Sequence, residues 1–87
     1  MSDLFSPIQH KLLMVLGTKT MKLTDLAEKV YADSVPKPMS PANALNSAIT
    51  YINYKCEMRD LDWKLHKEGM GRNGATIKKV KVTSWED

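Results

Sequence analysis

Residues 40–82 read SPANALNSAITYINYKCEMRDLDWKLHKEGMGRNGATIKKVKV, and this stretch decides the fold. Apolar residues recur at helical spacing from Pro41 to about Met58, which predicts one long helix. Alternating apolar and polar residues then flank a glycine-rich, basic tip at 69–74, a pattern typical of a β-hairpin. We expect the earlier residues to form two short helices that hold the long helix in place.

The predicted long helix has two chemically different faces. Residues spaced by three, four and seven positions give the face that we expect in the core: Leu45, Ala48, Ile49, Ile52 and Cys56. The opposite face carries short amides and hydroxyls with one tyrosine: Asn43, Ser47, Thr50 and Tyr54, flanked by Asn46 and Glu57. A solvated helix face usually carries several Lys and Glu, whereas amides and hydroxyls can read base edges. The alternative is that these residues are neutral surface without a partner.

The hairpin prediction depends on side-chain alternation. The first strand, about 61–67, places Leu61, Trp63 and Leu65 inward and Asp62, Lys64 and His66 outward. The return strand spans Ala75 to Val82. There Val80 and Val82 share one face while Ile77 has the opposite parity, which a bulge near Lys78 and Lys79 would accommodate. For Trp85, in the tail that follows, the alternatives are packing on the sheet and contact with a partner.

The first forty residues predict two helices and an extended connection. Ser6-Pro7-Ile8-Gln9 is a capping-box start with proline at the first helical position, and Gly17 is expected as a left-handed C-cap. Residues 21–23 predict a short strand. Thr24 is expected to cap a second helix running to about Ala32. Two prolines keep residues 33–39 out of a helix, and Ser40-Pro41 repeats the first start signal.

Length and composition predict one domain, residues 1–87, with its core at about 6–82 and loose termini. A hydrophobic fraction of 43% and a charged fraction of 26% are those of a soluble globular protein. No apolar run is long enough for a membrane helix, and no secretory signal is recognisable. One cysteine excludes an internal disulfide, so we expect an intracellular, cytoplasmic protein.

Positive charge is concentrated in the hairpin. Residues 61–82 carry six basic and two acidic side chains, whereas residues 1–60 carry seven basic and six acidic ones. A basic hairpin next to a polar helix face favours a phosphate-facing surface. A solvated, lysine-rich edge that discourages strand aggregation is the alternative.

The order helix, short strand, helix, helix, hairpin resembles the winged helix-turn-helix superfamily over about residues 6–82. The nearest pattern is the effector domain of response regulators, in which an aliphatic first helix also precedes a Leu-Ala-Glu segment, here residues 26–28. The chain departs from that family because its third helix lacks a basic cluster at its end. The resemblance implies an α+β winged helix, with helix 3 in the major groove and the wing on the backbone or minor groove.

This resemblance predicts a sequence-specific duplex DNA-binding protein, of the kind found among small bacterial and phage transcription regulators. The expected contacts on and before helix 3 are Lys37, Ser40, Asn43, Asn46, Ser47, Thr50 and Tyr54. Those of the wing are Lys64, Lys67, Arg72 and Asn73. A footprint this small suggests a homodimer or a partner regulatory protein.

Other functions have weaker support in the sequence. His10, His66 and Cys56 form no catalytic or metal-binding pattern, so we expect neither an enzyme nor a cofactor or metal site. A protein-binding adaptor is the main alternative, with anchors at Tyr54, Met58, Met70 and Trp85. A binder of RNA or single strands would need exposed aromatic residues among basic ones, and only Tyr51, Tyr54 and Trp85 are available.

Overall fold

The structure, a computed structural model, describes residues 4–69, 74–83 and 85. Its helices are α1 (Pro7–Leu16), α2 (Leu23–Val30) and α3 (Pro41–Met58). Its strands are β1 (Met21–Lys22), β2 (Trp63–Glu68) and β3 (Thr76–Lys81), and they form one antiparallel sheet in the order β1-β3-β2. The predicted α+β class, with three helices and a small sheet, is confirmed.

The core lies where the three helices meet one face of the sheet. All five residues predicted for the apolar face of α3 are buried. They share the core with aliphatic residues from the other two helices and from two strands, among them Leu12 and Leu16 of α1, Leu26 and Val30 of α2, Leu65 of β2 and Ile77 of β3. Each fully buried Leu or Ile side chain contributes roughly 1.5–3 kcal/mol, so this cluster orients α3 relative to the sheet.

Helix α1 begins with the predicted capping box. The backbone N–H of Gln9 donates to Ser6 Oγ at 3.3 Å, and the backbone N–H of Ser6 donates to Gln9 Oε1 at 3.1 Å. At the other end, Gly17 has the expected positive φ of 55°, but its ψ of −128° lies outside the left-handed helical region. The prediction of a left-handed cap is therefore right about the sign of φ and wrong about the full geometry.

The start of α2 differs from the prediction. Thr24 is not the N-cap, because the helix already begins at Leu23 and Lys22 occupies the cap position. The Leu23 amide donates to the Ala75 carbonyl at 2.9 Å, so a backbone group just before β3 satisfies one of the free helix donors. The helix ends at Val30, about two residues earlier than expected.

The hairpin has a regular register. Residues pair continuously from Trp63 with Lys81 to Glu68 with Thr76, so β2 and β3 contain no bulge near Lys78 and Lys79 over these pairs. Ile77 faces the core while Val80 lies half-buried on the other face, and this resolves the mismatch in parity without an extra residue. At the end of β2, Gly69 has φ of 98°, and a Cβ there would meet the Gly74 carbonyl.

Helix α3 begins at Pro41 as predicted, although the Ser40 side chain forms no capping hydrogen bond within the described residues. Its C-terminus closes by two backbone bonds, from the Asp60 amide to the Glu57 carbonyl at 3.2 Å and from the Leu61 amide to the Cys56 carbonyl at 2.9 Å. This is the Schellman pattern, with Asp60 at φ 52° in the position that glycine usually occupies. The turn directs the chain straight from α3 into β2.

Candidate nucleic-acid interface

The outward face of α3 is the first part of the candidate interface. Asn43, Ser47, Thr50 and Tyr54 are all exposed, and Asn46 is half-buried at the side of the helix that approaches β2. The Thr50 hydroxyl donates to the Asn46 carbonyl at 3.1 Å, which leaves its oxygen lone pairs available as acceptors. The predicted polar face is therefore accessible along about three turns of helix.

Two contacts attach this helix to the hairpin. The Asn53 carboxamide donates to the Leu65 carbonyl at 2.9 Å and accepts from the Leu65 amide at 2.8 Å. Lys67 Nζ donates to Asn46 Oδ1 at 3.4 Å. The second contact places a hairpin cation directly beside the polar face of α3.

The predicted hairpin cations lie on different faces of the sheet. Lys67 shares the parity of the buried Leu65 and lies on the α3 side. Lys64 has the opposite parity, and its ammonium lies 6.0 Å from the centre of the Trp85 ring. The structure thus brings Lys67, but not Lys64, next to α3. Arg72 and Asn73 were also predicted for the wing, and they lie outside the described residues.

Two of the predicted contact residues, Lys37 and Ser40, precede α3 at the end opposite to the one that leads into the hairpin. Lys37 is exposed in the connection between α2 and α3, and Ser40 is half-buried at the start of α3. Ser40 also lines a shallow groove of about 410 Å³ with Thr24 and Met39. Nothing within the described residues connects Lys37 to the contacts between α3 and β2.

Sequence reasoning overlooked part of the exposed face of α3. Tyr51 is 61% exposed, Tyr54 is 59% exposed and Met58 is 66% exposed, and their spacing puts them on adjacent turns. Tyr51 was considered only as a base-stacking residue and Met58 only as an adaptor anchor. The missed signal was the i, i+3, i+7 spacing of three large side chains outside the core face.

Trp85, which follows β3, was expected either to pack on the sheet or to contact a partner. Its indole Nε1 donates to the Leu61 carbonyl at 2.8 Å, and the ring is half-buried against the core. Trp85 therefore packs back on the sheet.

On the α3 side of the sheet, Lys79 Nζ lies 4.5 Å from the centre of the Trp63 ring, close enough for a cation–π interaction.

The residues considered for chemistry are dispersed. Burial raises the pKa of the Cys56 thiol to about 11, partly offset by nearby Lys79, so the thiol is protonated at neutral pH. His10 and His66 are exposed on α1 and β2. Across residues 4–69, 74–83 and 85, no three His, Cys, Asp or Glu side chains converge as metal ligands would. Among the helices of the same residues, none has the length and apolar character needed to span a membrane.

Comparison of the chain with protein-family models, with curated proteins and with solved structures finds no significant match in any of the three.

Proposed function

We propose that the chain is a winged-helix domain that binds duplex DNA, with α3 in the major groove and the β2–β3 hairpin on the phosphate backbone. The observation that carries this proposal is the contact between Lys67 Nζ and Asn46 Oδ1. It makes the basic hairpin continuous with the polar face of α3, so that one duplex could contact both. The strand order β1-β3-β2 with β2 beside α3 supports the same arrangement.

The chemistry of this surface fits the two parts of DNA recognition. Exposed Asn43, Ser47 and Thr50 offer donors and acceptors suited to base edges. Lys67 offers a cation suited to phosphate. Contacts to phosphate position a protein on the duplex but do not read the base sequence. Arg72, within the glycine-rich sequence 69–74, would suit a narrow minor groove.

The test is binding of the purified chain to random-sequence duplex DNA, titrated from low to physiological salt. Affinity should fall steeply with salt because bound cations release counterions from the duplex. Lys67→Ala should reduce the slope of log affinity against log salt by about 1. Lys29→Ala removes the same charge from the exposed side of α2, and we expect it to leave that slope unchanged.

A protein-binding adaptor is the second candidate, because Tyr51, Tyr54 and Met58 are large side chains exposed on α3. Aromatic and methionine side chains are enriched at protein interfaces. Trp85, expected as an anchor in this case, is engaged with Leu61 instead. Absence of duplex binding at low salt, together with loss of a protein partner in Tyr54→Ala, would replace the first proposal with this one.

A further inference from the structure

One side of α3 is joined to the edge of β2 by side-chain contacts. Asn46 and Asn53 are seven residues apart and therefore lie on the same side of the helix. They contact Lys67 and Leu65, which are two residues apart and lie on the same face of β2. We call these four residues the α3–β2 seam.

Asn53 completes the hydrogen bonding of an edge strand. The order β1-β3-β2 leaves β2 with strand pairing on one side only. The Val82 amide donates to the Asp62 carbonyl at 2.8 Å. Because bonded and non-bonded pairs alternate along an antiparallel ladder, the even-numbered residues of β2 direct their backbone N–H and C=O groups to β3. The odd-numbered residues direct theirs to the free edge. Leu65 is one of the latter, and the Asn53 carboxamide both accepts from its N–H and donates to its C=O, as a neighbouring strand would.

The seam holds the hairpin close to α3 through directional bonds. Leu65 also anchors β2 in the core, where its side chain is almost fully buried. A buried side chain fixes the position of the strand, but apolar packing is not directional. The two bonds from Asn53 add a constraint on the rotation of β2 relative to α3.

We propose that Asn53 is a positioning residue that presents Lys67 and the outward face of α3 as one preformed surface to duplex DNA. This inference rests on the function proposed above. Preformed surfaces bind more tightly because less freedom is lost on association. In Asn53→Ala the Leu65 N–H and C=O lose both bonds while the buried core is unchanged, so we expect the domain to fold and the hairpin to rotate more freely.

The experiment compares duplex affinity of the wild type with that of Asn53→Ala and Asn53→Leu, at low salt and at a temperature where all proteins are folded. We expect affinity to fall about tenfold in both variants. Val30→Ala is the matched control, because it truncates a core side chain of α2 and leaves the seam unchanged. If Asn53 only stabilised the fold, Val30→Ala and Asn53→Ala would both bind as the wild type does once folded, and the proposal would be overturned.

A double-mutant cycle with Lys67→Ala provides the second readout. In the wild type Lys67→Ala should weaken binding, whereas in Asn53→Ala it should have little further effect, because the cation is no longer held in place. Additive losses would contradict positioning. Hydrogen exchange at the Leu65 amide should accelerate in Asn53→Ala, and an unchanged rate would also count against the proposal.

Failure of the proposed function would be recognisable separately. If the wild type itself does not bind duplex DNA at low salt, both proposals fall. If the wild type binds and Asn53→Ala binds equally well, only the positioning role is lost.

Discussion

Helices α1 and α3 both begin at a proline that follows a serine N-cap, but the polar residues of their first turns are used differently. In α1, Ser6 and Gln9 form a closed capping box, and Gln9 Oε1 also accepts from Lys55 Nζ at 2.7 Å. In α3, Ser40 forms no side-chain cap within the described residues, and Asn43 and Ser47 are exposed to solvent. The polar residues at the start of α1 are therefore bonded within the domain, whereas Asn43 and Ser47 on the outward face of α3 are exposed.

The two helix starts differ in the residue three places after each serine. In α1 this residue is Gln9, whose side chain is long enough to reach back to the Ser6 amide. In α3 it is Asn43, which is one methylene shorter. The Ser40 backbone also differs, with φ −129° and ψ 90° against −66° and 165° at Ser6. A shared start signal therefore does not imply a shared cap.

The largest effect should come from the buried faces, where the two helices are alike. Leu12→Ala in α1 and Ile52→Ala in α3 each remove a fully buried side chain, and each should lower the free energy of unfolding by about 2–5 kcal/mol. Denaturant titration followed by circular dichroism measures this. Ile52→Val is the graded control, with an expected loss of about 0.5–1.5 kcal/mol. A much smaller loss in α3 than in α1 would show that the helices also differ in their packing.

An intermediate effect should separate the two helix starts. Ser6→Ala removes an observed cap and should cost about 1 kcal/mol of stability. Ser40→Ala, the same change at a serine without a cap bond, should cost only a few tenths of a kcal/mol. The midpoints of chemical denaturation of the two variants give the comparison directly. Equal losses would contradict the stated difference between α1 and α3.

The smallest stability effect should come from the exposed face of α3. Ser47→Ala changes stability by less than about 0.5 kcal/mol, because the side chain is exposed and alanine favours a helix. Its effect should appear in sequence preference instead, by roughly 1–3 kcal/mol for a lost base contact. Selection of bound duplexes from a random pool measures that preference. An unchanged preference would remove Ser47 from the proposed reading surface.

Local signals predicted the elements whose bonds are local. The capping box of α1 and the buried face of α3 depend on residues three to seven positions apart, so the spacing in the chain carries the information. The start of α2 could not be predicted in this way. Its first amide donates to Ala75, which is 52 residues farther along the chain by their numbers 23 and 75.

The candidate interface also has features that local spacing predicted and features that it did not. Exposure of Asn43, Ser47 and Thr50 was predicted because the core face of α3 places them opposite. Neither the hydrogen bonds of Asn53 nor the position of Lys67 beside α3 was predicted, since both depend on how β2 packs against α3. The bulge prediction failed for a related reason, because strand parity is set by pairing with β2 and by burial of Ile77.

The sequence by itself determined three helices, a basic hairpin and the two faces of α3, because periodicity and capping act over a few residues. Only the tertiary structure decided that the first amide of α2 donates to the Ala75 carbonyl and that Asn53 bonds the free backbone groups of Leu65 in β2. It also decided that Lys67 rather than Lys64 lies beside α3. These features depend on hydrogen bonds and packing between residues distant in sequence, and no local spacing encodes such contacts.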